Sequence, residues 1–93
     1  MRTPVEKRDV GEVVAMVFAR VHAAREKHGH GAYASHHEWL GVLVEEFVEF
    51  LVAVWKHEDE QVIDEALDVA QVMVFGIAGM LAKARAKQGE EEG

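Results

Sequence analysis

Past Pro4 the chain contains no proline, and its apolar residues recur at helical rather than alternating spacing. Proline inside a helix removes a hydrogen bond and clashes with the preceding turn, so its absence leaves long helices free to form. The β-branched residues are mostly Val, and they fall within the same period. The expected fold is therefore all-α: three helices, no sheet, with the second and third forming an antiparallel hairpin.

Helix 1 is expected to begin near Pro4. Thr3-Pro4-Val5-Glu6 combines a capping box with Pro at the first helical position. Val10, Val13, Val14, Val17, Phe18 and Val21 then share a face, and Gly29 and Gly31 end the helix behind Lys27 and His28. Helix 2 opens on a second capping box, Ser35-His36-His37-Glu38, and its apolar face is Leu40, Leu43, Val44, Phe47, Phe50, Leu51 and Val54. Glu38, Glu45, Glu46 and Glu49 gather on the opposite arc, mixed with Val42 and Ala53. Helix 3 should start at Asp59 and run to about Lys87, leaving residues 88–93 as a disordered acidic tail. Residues 1–87 then form one helical domain.

From Val69 to Ala82 only Gln71, Gly76 and Gly79 interrupt an apolar run. A helix that is apolar all round is buried. The run is shorter than the roughly 18–20 residues a membrane span needs, so no membrane partner is expected. Three helices of a 93-residue chain cannot bury it alone, and 49% of the residues are apolar. The expectation is a helical homo-oligomer, dimer or tetramer, whose core is a multi-helix bundle. Gly76 and Gly79 mark close helix packing. A net charge of −7 argues against a nucleic-acid partner. The lack of cysteine excludes a disulfide framework, and the first residues lack the apolar core of a signal peptide; both fit a cytoplasmic protein.

Two acidic groups stand among these apolar residues: Glu45, Glu46 and Glu49 on helix 2, and Glu65 and Asp68 on helix 3. Like charges at this spacing cost roughly 0.2–0.5 kcal/mol per pair on a wet surface, and more when buried. Glu6, Asp9 and Glu12 show the same spacing and are read as ordinary surface charges. The central groups differ because they lie on consecutive helices, flanked by Val, Leu and Phe. Counting outward from the turn at His57–Glu60, both come to about the same height along the hairpin. Four facing carboxylates suit a hard cation, Mg²⁺ or Mn²⁺, that keeps waters and takes substrate phosphates. The Glu-x-x-His pairs of di-iron bundles are absent.

Other residues have two readings each. His28, His30, His36 and His37 are a polar linker and helix cap, or a metal site, with His37 or His30 in reach of a substrate. Trp39 and Trp55 are core aromatics or platforms for a base. Glu38 is first a capping residue.

Glu45-Glu46-Phe47-Val48-Glu49 followed by Glu65-Ala66-Leu67-Asp68 resembles the EExxE…ExxD signature of the MazG-like, all-α nucleoside triphosphate pyrophosphohydrolases, a superfamily that includes dimeric dUTPases and dCTP pyrophosphatases. The resemblance spans about Ser35 to Leu81, and Gly29–Leu40 resembles the linker and helix start of short phage and bacterial members. It implies that Glu46, Glu49, Glu65 and Asp68 bind Mg²⁺, and that Glu45 is an outer member or positions water. The implied reaction is attack of water between the α- and β-phosphates of a (d)NTP, giving a nucleoside monophosphate and pyrophosphate. Many members hold the phosphates with Lys and Arg on a later helix. Lys83, Arg85 and Lys87 follow Asp68 too closely to be equated with these, so Lys27, Lys56 or another subunit is expected to supply the contacts. Two other readings stay open: a non-catalytic nucleotide or metal binder on the same fold, and a purely structural helical oligomer.

Overall fold

The computed structural model describes residues 2–92 as three helices with no strand among them: α1 (Lys7–His28), α2 (His36–Lys56) and α3 (Asp59–Glu92). α1 begins later than the Thr3-Pro4 motif suggests. Its N-cap is Glu6, whose backbone N–H donates to Asp9 Oδ2 at 2.8 Å. The Glu6–Asp9 pair that reads as surface charge is thus the helix start, because a carboxylate in the first turn satisfies an orphan N–H. At α2 the expected cap forms: Ser35 Oγ accepts from Glu38 N–H at 3.1 Å. The reciprocal arm reaches one residue further back, with Ala34 N–H donating to Glu38 Oε1 at 3.3 Å. α2 closes on His57, held in the left-handed region at φ 57°, and α3 starts within two residues.

α3 is the spine. It packs against both α1 and α2, which do not pack on each other among the described residues. α2 runs antiparallel to it: Trp39, near the start of α2, donates its indole N–H to the Val72 carbonyl at 3.1 Å. Its ring lies over Gly76, where a Cβ would fall 1.9 Å from Trp39 Cε2. Gly79 likewise admits Ala32. α1 runs alongside α3 in the same direction, with Arg20 meeting Asp64 and Asp68. Beyond its end, Lys83 Nζ donates to the Tyr33 carbonyl at 2.6 Å.

Three further sequence expectations change. α3 continues through the stretch expected to be a disordered tail, as far as Glu92; Gly93 lies outside the described residues. Ala, Lys, Arg, Gln and Glu are strong helix formers, and extending an existing helix costs little. Counting only Val69 to Ala82 also understated α3: an 18-residue window has mean hydropathy 1.5, long and apolar enough to cross a membrane by length and composition. Finally, α2 turns the margin of its acidic arc toward α3, with Glu46 half-buried and Ala53 buried, while Leu40, Val44, Phe47, Leu51 and Val54 face outward.

Val17, Ala53 and Val72 are the only buried apolar residues among those described. The accessible surface is 7661 Å², against about 5,400 Å² for a compact monomer of this mass. The radius of gyration is 16.1 Å, against about 12 Å for a compact domain of this length. The excess surface is largely the apolar side of each helix.

Candidate functional site

Two carboxylate triads meet where α2 crosses α3. Glu46, Glu49 and Glu65 each offer an oxygen within 4.8 Å of the others, and so do Asp64, Glu65 and Asp68. Glu65 belongs to both. The hairpin geometry produces this: three-residue spacing puts Glu46 and Glu49 on one face of α2, and the tight turn at His57 fixes their height against Glu65.

The triads are neutralised differently. Glu46 Oε2 and Glu65 Oε2 are sealed from solvent and have no hydrogen-bond partner. The other Glu65 oxygen accepts from Gln61 Nε2 at 2.7 Å. Burial, then repulsion from Glu49, Asp68 and Glu65, raises the Glu46 pKa from 4.5 to about 7. A buried anion without a partner is costly, and a cation among these oxygens removes the cost. An all-oxygen donor set with orphaned buried atoms fits a hard divalent ion.

In the second triad the counter-charge is part of the chain. Arg20 Nη1 donates to Asp68 Oδ1 at 2.7 Å and to the Asp64 carbonyl at 3.2 Å, while Nη2 pairs with Asp64 Oδ1. The hydrogen bond to Asp64 raises the Arg20 pKa; partial burial opposes the rise and Asp68 adds to it. The four carboxylates implied by the resemblance are therefore brought together, but Asp68 is shared with a guanidinium.

A cleft of about 450 Å³ opens beside Glu46, between α1 and α2 above α3. Arg25 and His28 line one wall, Glu38 and Val42 the other, and Gln71, Tyr33 and Phe75 the far part. Tyr33 and Phe75 meet edge to face at 5.4 Å. Burial, with Glu38 and Glu46 nearby, raises the Tyr33 pKa and keeps its hydroxyl a donor. A second cleft of about 380 Å³ lies on the other side, lined by Glu49, Glu65, Gln61 and Lys56.

Several expected site residues lie elsewhere. Glu45 is exposed and outside both triads, because it sits 100° round α2 from Glu46. Trp39 is committed to Gly76 and Val72, so its ring is a packing element rather than a base platform. Trp55 is 86% exposed and lines none of these clefts. His37 and Lys27 are exposed and outside the first cleft; Lys27 is turned about 130° from the face carrying Arg25 and His28. Lys56 does stand at the second cleft, beside Glu49. Sequence reasoning missed Arg20, Arg25, Gln71 and Tyr33. Arg20 recurs with Val17, Val21 and Ala24 at helical spacing, and that periodicity was the available signal.

Residues 12–87 match the phosphoribosyl-ATP pyrophosphohydrolase family. No curated protein and no solved structure matches the chain.

Proposed function

The chain belongs to the phosphoribosyl-ATP pyrophosphohydrolase family, within the MazG-like all-α superfamily, and from that premise we propose that it is a Mg²⁺-dependent nucleoside triphosphate pyrophosphohydrolase. Members of the family hydrolyse nucleotide pyrophosphate bonds. The reaction is (d)NTP plus water to (d)NMP plus pyrophosphate: an O–P bond forms from water, and the bridging α–β bond breaks. The observation that carries this reading is the pair of orphaned oxygens on Glu46 and Glu65, beside a cleft of nucleotide size.

Glu46, Glu49 and Glu65 would hold the ion, with Mn²⁺ able to replace Mg²⁺. When bound it supplies positive charge to the phosphate oxygens. The chain does the rest. Arg25 and His28 present positive and hydrogen-bonding groups to phosphates along the α1 wall. Glu49, exposed beside the second cleft, would complete the ligand set on its water-facing side. Tyr33 and Phe75 offer apolar edges to a base, and Gln71 an amide to read it. The bare apolar faces of α1, α2 and α3 are covered by further copies of the chain. α3 is then the central helix of a bundle rather than a membrane span, and the setting is cytoplasmic.

The test is release of pyrophosphate with Mg²⁺ across all ribo- and deoxyribonucleoside triphosphates, with phosphoribosyl-ATP in the same panel. The expected result is turnover of a (d)NTP, reduced at least about 100-fold in Glu49→Gln. Turnover of phosphoribosyl-ATP alone would reassign the substrate, and no turnover by folded, metal-loaded protein would remove the enzyme reading.

A further inference from the structure

We propose that Arg20 takes the place of a second metal ion, making this a centre of one divalent ion and one guanidinium. The inference rests on the reading above, that Glu46, Glu49 and Glu65 hold a divalent cation.

The two triads are equivalent as donor sets, each with three oxygens within 4.8 Å and Glu65 in common. What separates them is their present partners. The first alone contains Glu46, whose buried Oε2 has no donor among the described residues; the orphaned Oε2 of Glu65 is common to both. The second already has a cation with three polar contacts: Nη1 to Asp68 Oδ1 at 2.7 Å, Nη1 to the Asp64 carbonyl at 3.2 Å, and Nη2 to Asp64 Oδ1. The arrangement is not a loose surface pair. The side chains of Arg20 and Asp68 are only 32% and 33% exposed, and α1 seats Arg20 against α3 through Val17 on the preceding turn. A guanidinium stays charged throughout the working pH range and matches carboxylate geometry with paired donors. A divalent ion entering the same triad would meet that fixed positive charge, whereas the first triad offers it unpaired oxygens.

Arg20 thereby fixes the stoichiometry and holds the Asp64 and Asp68 side chains in place beside the ion. It also puts a non-exchangeable positive charge next to the place where phosphates gather. It acts through the carboxylates and is a positioning residue.

The experiment is Mn²⁺ titration of the full chain by calorimetry, with electron paramagnetic resonance to detect a coupled ion pair. The unaltered protein is expected to take one ion per chain and show no coupled pair. Arg20→Ala and Arg20→Gln are expected to take a second ion and show the coupled signal, and Arg20→Lys, which keeps the charge, to stay at one. Two ions in the unaltered protein, or one in the neutral variants, would overturn the assignment of Arg20 alone. No ion in the unaltered protein would instead remove the metal reading on which it rests. If both neutral variants fail to fold, Asp68→Asn decides: a loss of first-ion affinity smaller than about tenfold supports the division of the triads, and a loss of tenfold or more, as for a ligand or its direct support, overturns it.

Discussion

The indole of Trp39 lies against Gly76, where a side chain of even one carbon would fall 1.9 Å from Cε2 and 2.2 Å from Nε1. The contact and the 3.1 Å bond from Nε1 to Val72 fix how far along α3 the start of α2 sits. Because the carboxylates lie further along the same two helices, the fit at Gly76 also sets their register.

Gly76→Ala should therefore destabilise the protein even though Ala is the better helix former. Alanine gains about 1 kcal/mol of helix propensity. Against it stand about 1–3 kcal/mol of overpacking and about 1 kcal/mol for a displaced hydrogen bond. A net loss of about 2 kcal/mol is expected in urea unfolding, with Trp39 fluorescence shifted to the red.

Mg²⁺ should raise the melting temperature of the unaltered protein. At a hundredfold excess over Kd the linkage is about 2.7 kcal/mol, which corresponds to about 10–20 °C for a domain of this size. Glu46→Gln and Glu65→Gln should lose the response. A metal-independent melting temperature in the unaltered protein would refute the triad as an ion site.

The metal-free protein should lose stability as pH rises toward neutrality. The Glu46 carboxyl has a folded pKa of about 7 and an ordinary value of 4.5. Between these the folded chain keeps a proton that the unfolded chain has released, so raising the pH favours unfolding. The contribution is fully present below the lower value and lost as pH passes through the upper one. Glu46→Gln should flatten this part of the profile, measured as melting temperature against pH without metal, and saturating Mg²⁺ should flatten it in the unaltered protein.

Sedimentation should show a dimer or tetramer. Leu51 is 48% exposed and Val44 50% exposed on the outward face of α2. Changing both to Glu is expected to shift the protein to monomer and reduce its helical signal together, because so little apolar surface is buried within one chain. Folded monomer at micromolar concentration would show that one copy suffices.

Much of the fold can be read from local signals. Ser35 and Glu38 announce the start of α2, Asp59 that of α3, and the interval between Glu49 and Glu65 requires the hairpin to bring their helices level. What could not be read depends on partners distant in sequence. Helical periodicity shows that α2 has an apolar face but not whether α3 or another surface takes it, and Leu51 and Ala53 ended on opposite sides of that choice. The register of α1 against α3 has no local marker, so Arg20 could not be matched to Asp64 and Asp68 beforehand. Trp39 was legible as an aromatic near the site; that Gly76 makes its seat required both helices to be in place.

Among the described residues α1 and α2 share no packing, so the gap between them is spanned by α3 alone. Widening it takes a small roll of α1 about its one seam with α3, where Val17 is buried and Arg20 makes its polar contacts. Such a jaw can admit a bulky ligand and let its fragments escape at little cost. The grip on the ligand would then depend on whatever holds the far side of α1 in place, which ties turnover to assembly as directly as to the acidic side chains.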